Sequence, residues 1–267
     1  MDLGLTGRVA LVAASSKGLG RAAALALAAE GAHVVICGRD EASLEIARGA
    51  VSEAGSGEVL AIAADVTATS APAELVAAAV GRFERLDIVV ANAGGPPPGR
   101  ALDVDDAALE AAFEANFLTS VRFVREALPH MRAGGWGRIC CITSYTVVQP
   151  VPTLSLSNAA RLGLWGWAKT AAQDLSGSGI TLNLACPGTH ATDRMLQLYG
   201  GGSGAGVDTS GMGDPADFGR VVAFLCSQPA GDMTGTAVVV DGGATQGLLE
   251  PGSARLLDCA VPARPVR

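Results

Sequence analysis

Aromatic residues are scarce in this chain, and basic runs are missing. Only 4% of the residues are aromatic, whereas 49% are hydrophobic. We therefore expect a core of small aliphatic side chains, with helices packed at short distances. The net charge is −7 at pH 7, and no cluster of lysine or arginine interrupts the sequence. This composition argues against nucleic acid or an anionic membrane surface as the main partner.

The cysteines show no pattern of a metal site. None of the six forms a Cys-x-x-Cys pair, and no histidine stands at a spacing suited to zinc. Most of them lie in apolar runs, where a free thiol behaves as a small hydrophobic side chain. We expect no bound metal, and thiols that stay reduced as in the cytoplasm.

Targeting and membrane signals are also missing. The N-terminal residues lack the basic-then-apolar layout of a signal peptide. No apolar stretch reaches the roughly 18 residues that a membrane span needs. A cytoplasmic protein without a membrane partner is expected. A length of 267 residues suits one large α/β domain over residues 1–267.

Short apolar segments alternate with longer helical ones along the chain. Strands are predicted at 9–13, 33–37, 59–63, 88–91, 138–143, 181–186 and 237–240. Helices are predicted at 19–30, 41–54, 72–83, 104–130, 157–176 and 215–227. Near-continuous apolar strands separated by helices predict a parallel sheet covered on both faces. The expected fold is a single doubly wound, Rossmann-type α/β sheet of about seven strands.

Two segments depart from this alternation. Residues 189–214 are rich in glycine and serine, which predicts a flexible loop near the ligand. Residues 244–267 are irregular and contain proline. This tail is expected to cover either a neighbouring subunit or its own domain.

A glycine-containing turn joins the first predicted strand to the first predicted helix. It comprises Ser15, Ser16, Lys17, Gly18, Leu19 and Gly20. Small residues let such a turn bring backbone N–H groups against a pyrophosphate at the helix N-terminus, where the helix dipole favours negative charge. A tight strand–helix turn that binds no ligand would use the same residues, so the turn alone leaves both interpretations open.

The motifs that follow this turn resemble those of the short-chain dehydrogenase/reductase family, in particular its 3-oxoacyl-ACP reductase-like members. The family pattern Thr-Gly-x-x-x-Gly-x-Gly is matched at Gly18 and Gly20, with Ala13 and Ala14 at its first two positions. We expect Ala14 to keep a negative φ, so that the turn survives. The resemblance extends from about residue 7 to residue 243, and it implies further cofactor contacts at Asp65, Val66, Asn92, Ala93, Gly94, Pro187, Gly188 and Thr192.

The charge after the second predicted strand indicates which nicotinamide cofactor is used. An NAD-selective site needs a carboxylate there to bind the ribose 2′-hydroxyl. Arg39 and Lys17 are instead positioned to meet a 2′-phosphate, which a guanidinium binds well. Asp40 is expected to cap the next helix. The sequence therefore favours NADP(H), the alternative being that both cations are solvated surface charges.

The catalytic pattern of the family is altered. The resemblance aligns Ser144 with the family's serine, Ser157 with its proton-donating tyrosine and Arg161 with the lysine that binds the nicotinamide ribose; Asn116 matches its asparagine. An aliphatic hydroxyl is a much weaker acid than a phenol. Ser157 is therefore expected to donate a hydrogen bond, hold a water or cap a helix. Arg161 keeps the positive charge and can still bind the ribose.

Three other sources of the proton remain open. Tyr145 follows Ser144 directly, but neighbouring strand residues point to opposite faces, so it is expected to face away from the site. His190 lies in the loop expected beside the nicotinamide, and imidazole titrates in a useful range. Water or a hydroxyl of the substrate is the third source.

Three functions are compatible with this site. The first is an NADP(H)-dependent carbonyl reductase with non-standard proton delivery, acting on a conjugated or polyketide-like small molecule. The second is a non-redox cyclase, isomerase or lyase that uses Ser144, Ser157 and Arg161 to stabilise an anion. The third is a cofactor-binding protein without catalysis. The apolar faces of helices 104–130 and 157–176 also resemble the family's dimer-forming pair, which predicts a homodimer or homotetramer.

Overall fold

A parallel sheet organises the chain. The structure is a computed structural model that describes residues 1–199 and 207–245. Within these residues, seven strands form one parallel sheet in the order β3-β2-β1-β4-β5-β6-β7. The strands are β1 Val9–Val12, β2 His33–Gly38, β3 Val59–Ala63, β4 Ile88–Ala91, β5 Gly137–Ile142, β6 Ile180–Pro187 and β7 Ala237–Val240. The predicted fold class is confirmed.

Helices connect successive strands. They are α1 Gly18–Ala29, α2 Glu41–Ala54, α3 Ala71–Phe83, α4 Asp106–Phe113, α5 Thr119–Gly134, α6 Ser155–Asp174, α7 Asp193–Tyr199 and α8 Pro215–Leu225. The predicted helix 104–130 is in fact α4 and α5 joined by a π-helical turn, Glu114–Leu118. None of the helices in the described residues is both long and apolar enough to cross a membrane.

Each face of the sheet carries its own hydrophobic core. Along β1, Val9 and Leu11 face a core that α3, α5 and α6 cover, whereas Ala10 and Val12 face a core covered by α1, α2 and α8. Because successive residues of a strand point to opposite faces, both sets must be apolar. This requirement explains why the strands are continuous hydrophobic runs.

The order of the strands determines where a ligand can bind. From β1 the chain first extends the sheet towards β2 and β3, then returns to place β4 on the other side of β1. Connections from neighbouring strands therefore diverge at the carboxyl ends of β1 and β4. In open α/β sheets, ligands bind in the crevice that this divergence creates.

The predicted loop 189–214 is partly helical. Thr192 precedes α7, a short helix that begins at Asp193. Residues 200–206 of the loop lie outside the described residues, as do residues 246–267 of the predicted tail. The expectation that the whole segment is irregular is therefore wrong for α7, which has a hydroxyl and a carboxylate at its start, as helix N-termini often do.

Candidate active site

A cavity of about 870 Å³ opens at the carboxyl ends of the strands. It extends from the turn between β1 and α1 to the N-terminal part of α6. It brings together most of the predicted site residues, namely Ser16, Lys17, Gly18, Leu19, Arg39, Asp65, Val66, Asn92, Ala93, Gly94, Ser144, Ser157, Arg161, Pro187, Gly188, His190 and Thr192. Ser15, Gly20 and Asn116 are not part of the lining.

The turn between β1 and α1 has the geometry of an anion cradle. Gly18 has φ +57°, and a Cβ atom at Gly20 would lie 2.4 Å from the carbonyl oxygen of Ala14. Lys17 precedes α1 without a side-chain cap, and the first turn holds no acidic residue. The first backbone N–H groups of α1 therefore remain for a negatively charged ligand. The residues present fit a dinucleotide pyrophosphate.

Ala14 adopts a strained backbone. Its φ is +47°, so the expectation of a negative φ is wrong. The Asn92 side-chain amide donates to the carbonyl oxygens of Ala13 and Ala14 at 3.3 and 3.2 Å, and Gly20 packs against the same Ala14 carbonyl. These contacts hold the peptide in a conformation that alanine disfavours locally.

Ser15 joins two strands beneath the cavity. Its hydroxyl donates to the carbonyl oxygen of Val12 at 2.7 Å and accepts from the backbone N–H of Cys37 at 3.1 Å. The side chain is completely buried. It therefore supports the turn from below, while Ser16 and Lys17 reach the cavity surface.

Positive charge marks the end of the cavity beside β2. Lys17 and Arg39 are both exposed there. The pKa of the Asp65 carboxyl is lowered, mainly by hydrogen bonds from Thr67 and to a lesser degree by the charge of Arg39. Asp40 accepts from the backbone N–H of Ser43 at 2.8 Å, so its predicted role as helix cap is confirmed. Two cations thus face the region where an adenine ribose would carry a 2′-phosphate.

Arg161 organises the opposite end. Its guanidinium donates to Asn116 Oδ1 at 3.1 Å and to the carbonyl oxygen of Thr143. Asn116 is 5% exposed and belongs to the π-helical turn, a feature that often occurs at functional sites. The Nε atom of Arg161 is enclosed and finds no partner among the described residues. Burial, with a smaller repulsion from Arg194, lowers the pKa of Arg161 to about 10.

Two hydroxyls line this end of the cavity. Ser157 lies in the first turn of α6, but the helix is preceded by Leu154 and begins at Ser155, so the interpretation of Ser157 as a helix cap is wrong. Ser144 accepts from the backbone N–H of Thr146 at 3.2 Å and thereby caps a short 3₁₀ turn, Tyr145–Val147. Its own O–H remains able to donate.

Tyr145 lines the same cavity. The expectation that it faces away assumed a strand through Ser144, and that assumption is wrong because β5 ends at Ile142. Tyr145 instead begins the 3₁₀ turn and is 7% exposed. Strand alternation therefore no longer argues against a phenol at this site.

His190 is held firmly by its surroundings. Its Nδ1 lies 3.2 Å from the carbonyl oxygen of Gly188, and its ring packs edge-on against Phe218 at a centroid distance of 5.3 Å. The residue is only 4% exposed. These contacts favour a role in shaping the loop over one in proton transfer.

Sequence reasoning missed Arg194 and Thr143, both in the lining. Thr143 acts through its carbonyl oxygen, which no sequence pattern reveals. Arg194 donates to the carbonyl oxygens of Gly95 and Pro96 at 2.8 and 3.3 Å. The signal that could have found it is the helix start at Thr192 and Asp193.

Comparison with known proteins identifies the family. The model described as enoyl-(acyl carrier protein) reductase matches residues 13–245. The human protein named dehydrogenase/reductase SDR family member 4 is 32% identical over 248 residues, which are 90% of this chain and 88% of the human protein. The chain belongs to the short-chain dehydrogenase/reductase family, and its relatives in these comparisons are oxidoreductases.

Two bacterial proteins are similar to this chain to about the same degree. The 3-oxoacyl-[acyl-carrier-protein] reductase of Synechocystis sp. is 33% identical over 241 residues, covering 90% of this chain and 97% of that protein. The crystal structure of L-sorbose reductase from Gluconobacter frateurii, complexed with NADPH and L-sorbose, superposes with a TM-score of 0.83 at 30% identity. It covers 91% of this chain and 98% of the reductase.

Proposed function

We propose that this protein is an NADP(H)-dependent carbonyl reductase with a non-standard route for the proton. The observation that carries the proposal is one continuous cavity with an anion cradle at one end and the Arg161–Asn116–Thr143 cluster at the other. The likeness to reductases, one of which was crystallised with NADPH, supports the cofactor.

Each part of the cofactor has residues suited to hold it. The N–H groups at the start of α1 would bind the pyrophosphate. Lys17 and Arg39 would bind the 2′-phosphate, and Arg161 the hydroxyls of the nicotinamide ribose. The further residues proposed to line the cofactor are Ser16, Gly18, Leu19, Asp65, Val66, Asn92, Ala93, Gly94, Pro187, Gly188 and Thr192. Ser15 and Gly20 would support the turn without touching the cofactor. When bound, the reduced nicotinamide supplies a hydride to the carbonyl carbon of the substrate.

Side chains at the α6 end would complete the reduction. Ser144 and Ser157 would donate hydrogen bonds to the carbonyl oxygen and orient it. The fixed charge of Arg161 would stabilise the negative charge that develops on this oxygen. We assign the proton to Tyr145, because this residue lines the cavity and a phenol is a far better acid than a serine hydroxyl. His190 remains a shaping residue in this scheme.

The site favours a particular class of substrate. A conjugated or polyketide-like carbonyl compound suits a site that stabilises an oxyanion by charge and hydrogen bonds.

The surface of two helices favours a homo-oligomer. Phe113 of α4 and Leu162 of α6 are apolar side chains exposed by 36% and 37%. Covering them with a second copy would bury this surface, which supports a homodimer or homotetramer.

The test is a fluorescence titration with NADPH followed by turnover of a panel of conjugated and simple ketones. NADPH binding together with oxidation by at least one ketone is expected. Conversion of a substrate without NADPH would favour the cyclase, isomerase or lyase alternative. Binding with no turnover across the panel would favour a cofactor-binding protein without catalysis.

A further inference from the structure

Two arginines share the end of the cavity where the reaction would occur. Arg161 comes from α6, and Arg194 comes from the first turn of α7. Arg194 reaches from the loop after β6 to the loop after β4, where it donates to the carbonyl oxygens of Gly95 and Pro96. Arg161 and Arg194 line the same cavity, and the charge of Arg194 contributes to lowering the pKa of Arg161.

Neither guanidinium has an acidic partner among the described residues. Six other arginines form salt bridges, but within the described residues Arg161 and Arg194 form none. In the part of the chain that the structure describes, two acidic residues line the cavity. Asp65 lies at the Arg39 end of the cavity and accepts hydrogen bonds from the backbone N–H and the hydroxyl of Thr67. Asp193 is exposed and forms no ion pair with either arginine.

The hydrogen-bond partners of both guanidiniums are neutral. Arg161 donates to Asn116 Oδ1 and to the Thr143 carbonyl, and Arg194 donates to two backbone carbonyls. A partly buried charge is stabilised most by an opposite charge, which an anionic ligand would supply. The nicotinamide ribose, the group that the family's lysine binds, is neutral. The oxyanion that Arg161 would stabilise carries at most one negative charge, whereas two guanidiniums line this cavity. The second positive charge is therefore available for an anionic group of the substrate.

We infer that the substrate carries a carboxylate that binds between the guanidiniums of Arg194 and Arg161, so that the protein selects carbonyl acids over their neutral analogues. The inference rests on the proposed function, because it names the class of substrate for the same site. The fork of a guanidinium matches the two oxygens of a carboxylate. The partners of Arg194 in residues 1–199 and 207–245 are two backbone carbonyls, which a carboxylate could replace.

The pyrophosphate of the cofactor is a second anion that an arginine in this cavity could bind. A pyrophosphate cradled at the start of α1 would lie in the same cavity, and Thr192 adjoins that turn, 3.6 Å from a Cβ built on Gly18. The position of Arg161 beside Asn116 and Thr143, away from Lys17 and Arg39, favours the substrate as the source. The experiment must therefore separate carboxylate binding from cofactor binding.

The experiment measures binding by isothermal titration calorimetry to the complex with NADP⁺. The probes are matched pairs of a 2-oxo acid and its methyl ester in three sizes, namely pyruvate, 2-oxobutanoate and phenylglyoxylate. We expect at least one acid to bind about tenfold or more tightly than its ester, and the Arg194→Gln variant to abolish this preference. Arg48→Gln, which removes an exposed arginine of α2, is the matched control and should keep the preference.

Other outcomes overturn the inference. It is overturned if no pair shows a preference for the acid, or if Arg194→Gln leaves the preference intact. In the second case, a weakened affinity of Arg194→Gln for NADP⁺ would assign this arginine to the pyrophosphate. Oxidation of NADPH in parallel samples tests the proposed function separately. An acid that binds selectively but is not reduced would count against the reductase and leave the carboxylate site standing.

Discussion

The two ends of the cavity are built from different material. At the start of α1, backbone N–H groups and glycine contacts form the cradle, and side chains only support it from below. At the other end, near the start of α6, the chemistry is proposed to depend on the side chains of Asn116, Arg161, Ser144 and Tyr145. A backbone site tolerates changes such as alanine at positions 13 and 14, because almost any residue offers the same N–H. A side-chain site changes its chemistry with each replacement.

The sharpest test of the side-chain end is Tyr145→Phe. If this phenol supplies the proton, kcat for ketone reduction should fall about 10²–10⁴-fold. The dissociation constant of NADPH should stay unchanged, because the backbone end is untouched. Steady-state kinetics and fluorescence titration measure the two quantities.

A second variant relocates the phenol. Ser157→Tyr in the Tyr145→Phe background should recover much of the lost activity, because residue 157 lines the same cavity. An unchanged kcat in Tyr145→Phe alone would assign the proton to water or to the substrate, and the relocated phenol would then have nothing to restore.

The charge of Arg161 is the next largest contribution. Arg161→Met should lower kcat/KM about 10²–10³-fold, because a fixed cation no longer faces the developing oxyanion. Arg161→Lys should retain more activity than Arg161→Met, because it keeps the positive charge. It should still be less active than the native protein, because the shorter lysine side chain reaches Asn116 and Thr143 less well. Lys169→Met, an exposed site on the same helix, is the control. Equal activity of Arg161→Met and this control would rule out an electrostatic role.

The cofactor end should respond through affinity alone. The double variant Lys17→Gln with Arg39→Gln should weaken NADPH binding about 10²-fold, since each charged hydrogen bond to a phosphate contributes about 1.5–3 kcal/mol. Binding of NADH, which lacks the 2′-phosphate, should change little. Parallel titrations with the two nucleotides measure the difference. A matching loss for NADH would mean that these cations act on another part of the cofactor.

The smallest effect concerns the strained turn. Ala14→Gly should stabilise the fold by about 0.5–1 kcal/mol, because glycine adopts a positive φ without steric cost. The melting temperature should rise by about 2 °C, as measured by circular dichroism. Ala13→Gly is the control, since Ala13 has no positive φ and is buried, and it should destabilise. Destabilisation by Ala14→Gly would mean that the methyl group contributes more than the strain costs.

Local patterns were sufficient for most of the fold. The apolar strands and the turns between them predict each strand and most helices within a few residues, because strand and helix periodicity reflect burial directly. The π-helical turn escaped prediction, since it inserts one residue into an otherwise regular helical pattern. The helix α7 escaped because a glycine- and serine-rich neighbourhood masks seven helical residues.

The candidate site was less accessible to sequence reasoning. Motif order pointed to Arg39, Asn116 and Arg161, because each follows a recognisable strand or helix. The orientation of Tyr145 was misjudged because the end of β5, only three residues earlier, decides which way the side chain points. Similarly, no local pattern indicated that Arg194 donates to the carbonyl oxygen of Gly95, about a hundred residues away in the chain.

The amino-acid sequence by itself determined the family, the doubly wound sheet and the backbone cradle, because these depend on periodicity and on small residues at given positions. Only the tertiary structure decided that Tyr145 lines the cavity, that Ala14 has a positive φ and that Arg161 and Arg194 share this cavity with no acidic partner among the described residues. These features arise where segments distant in the chain meet, and their energies depend on contacts and burial that no single segment contains.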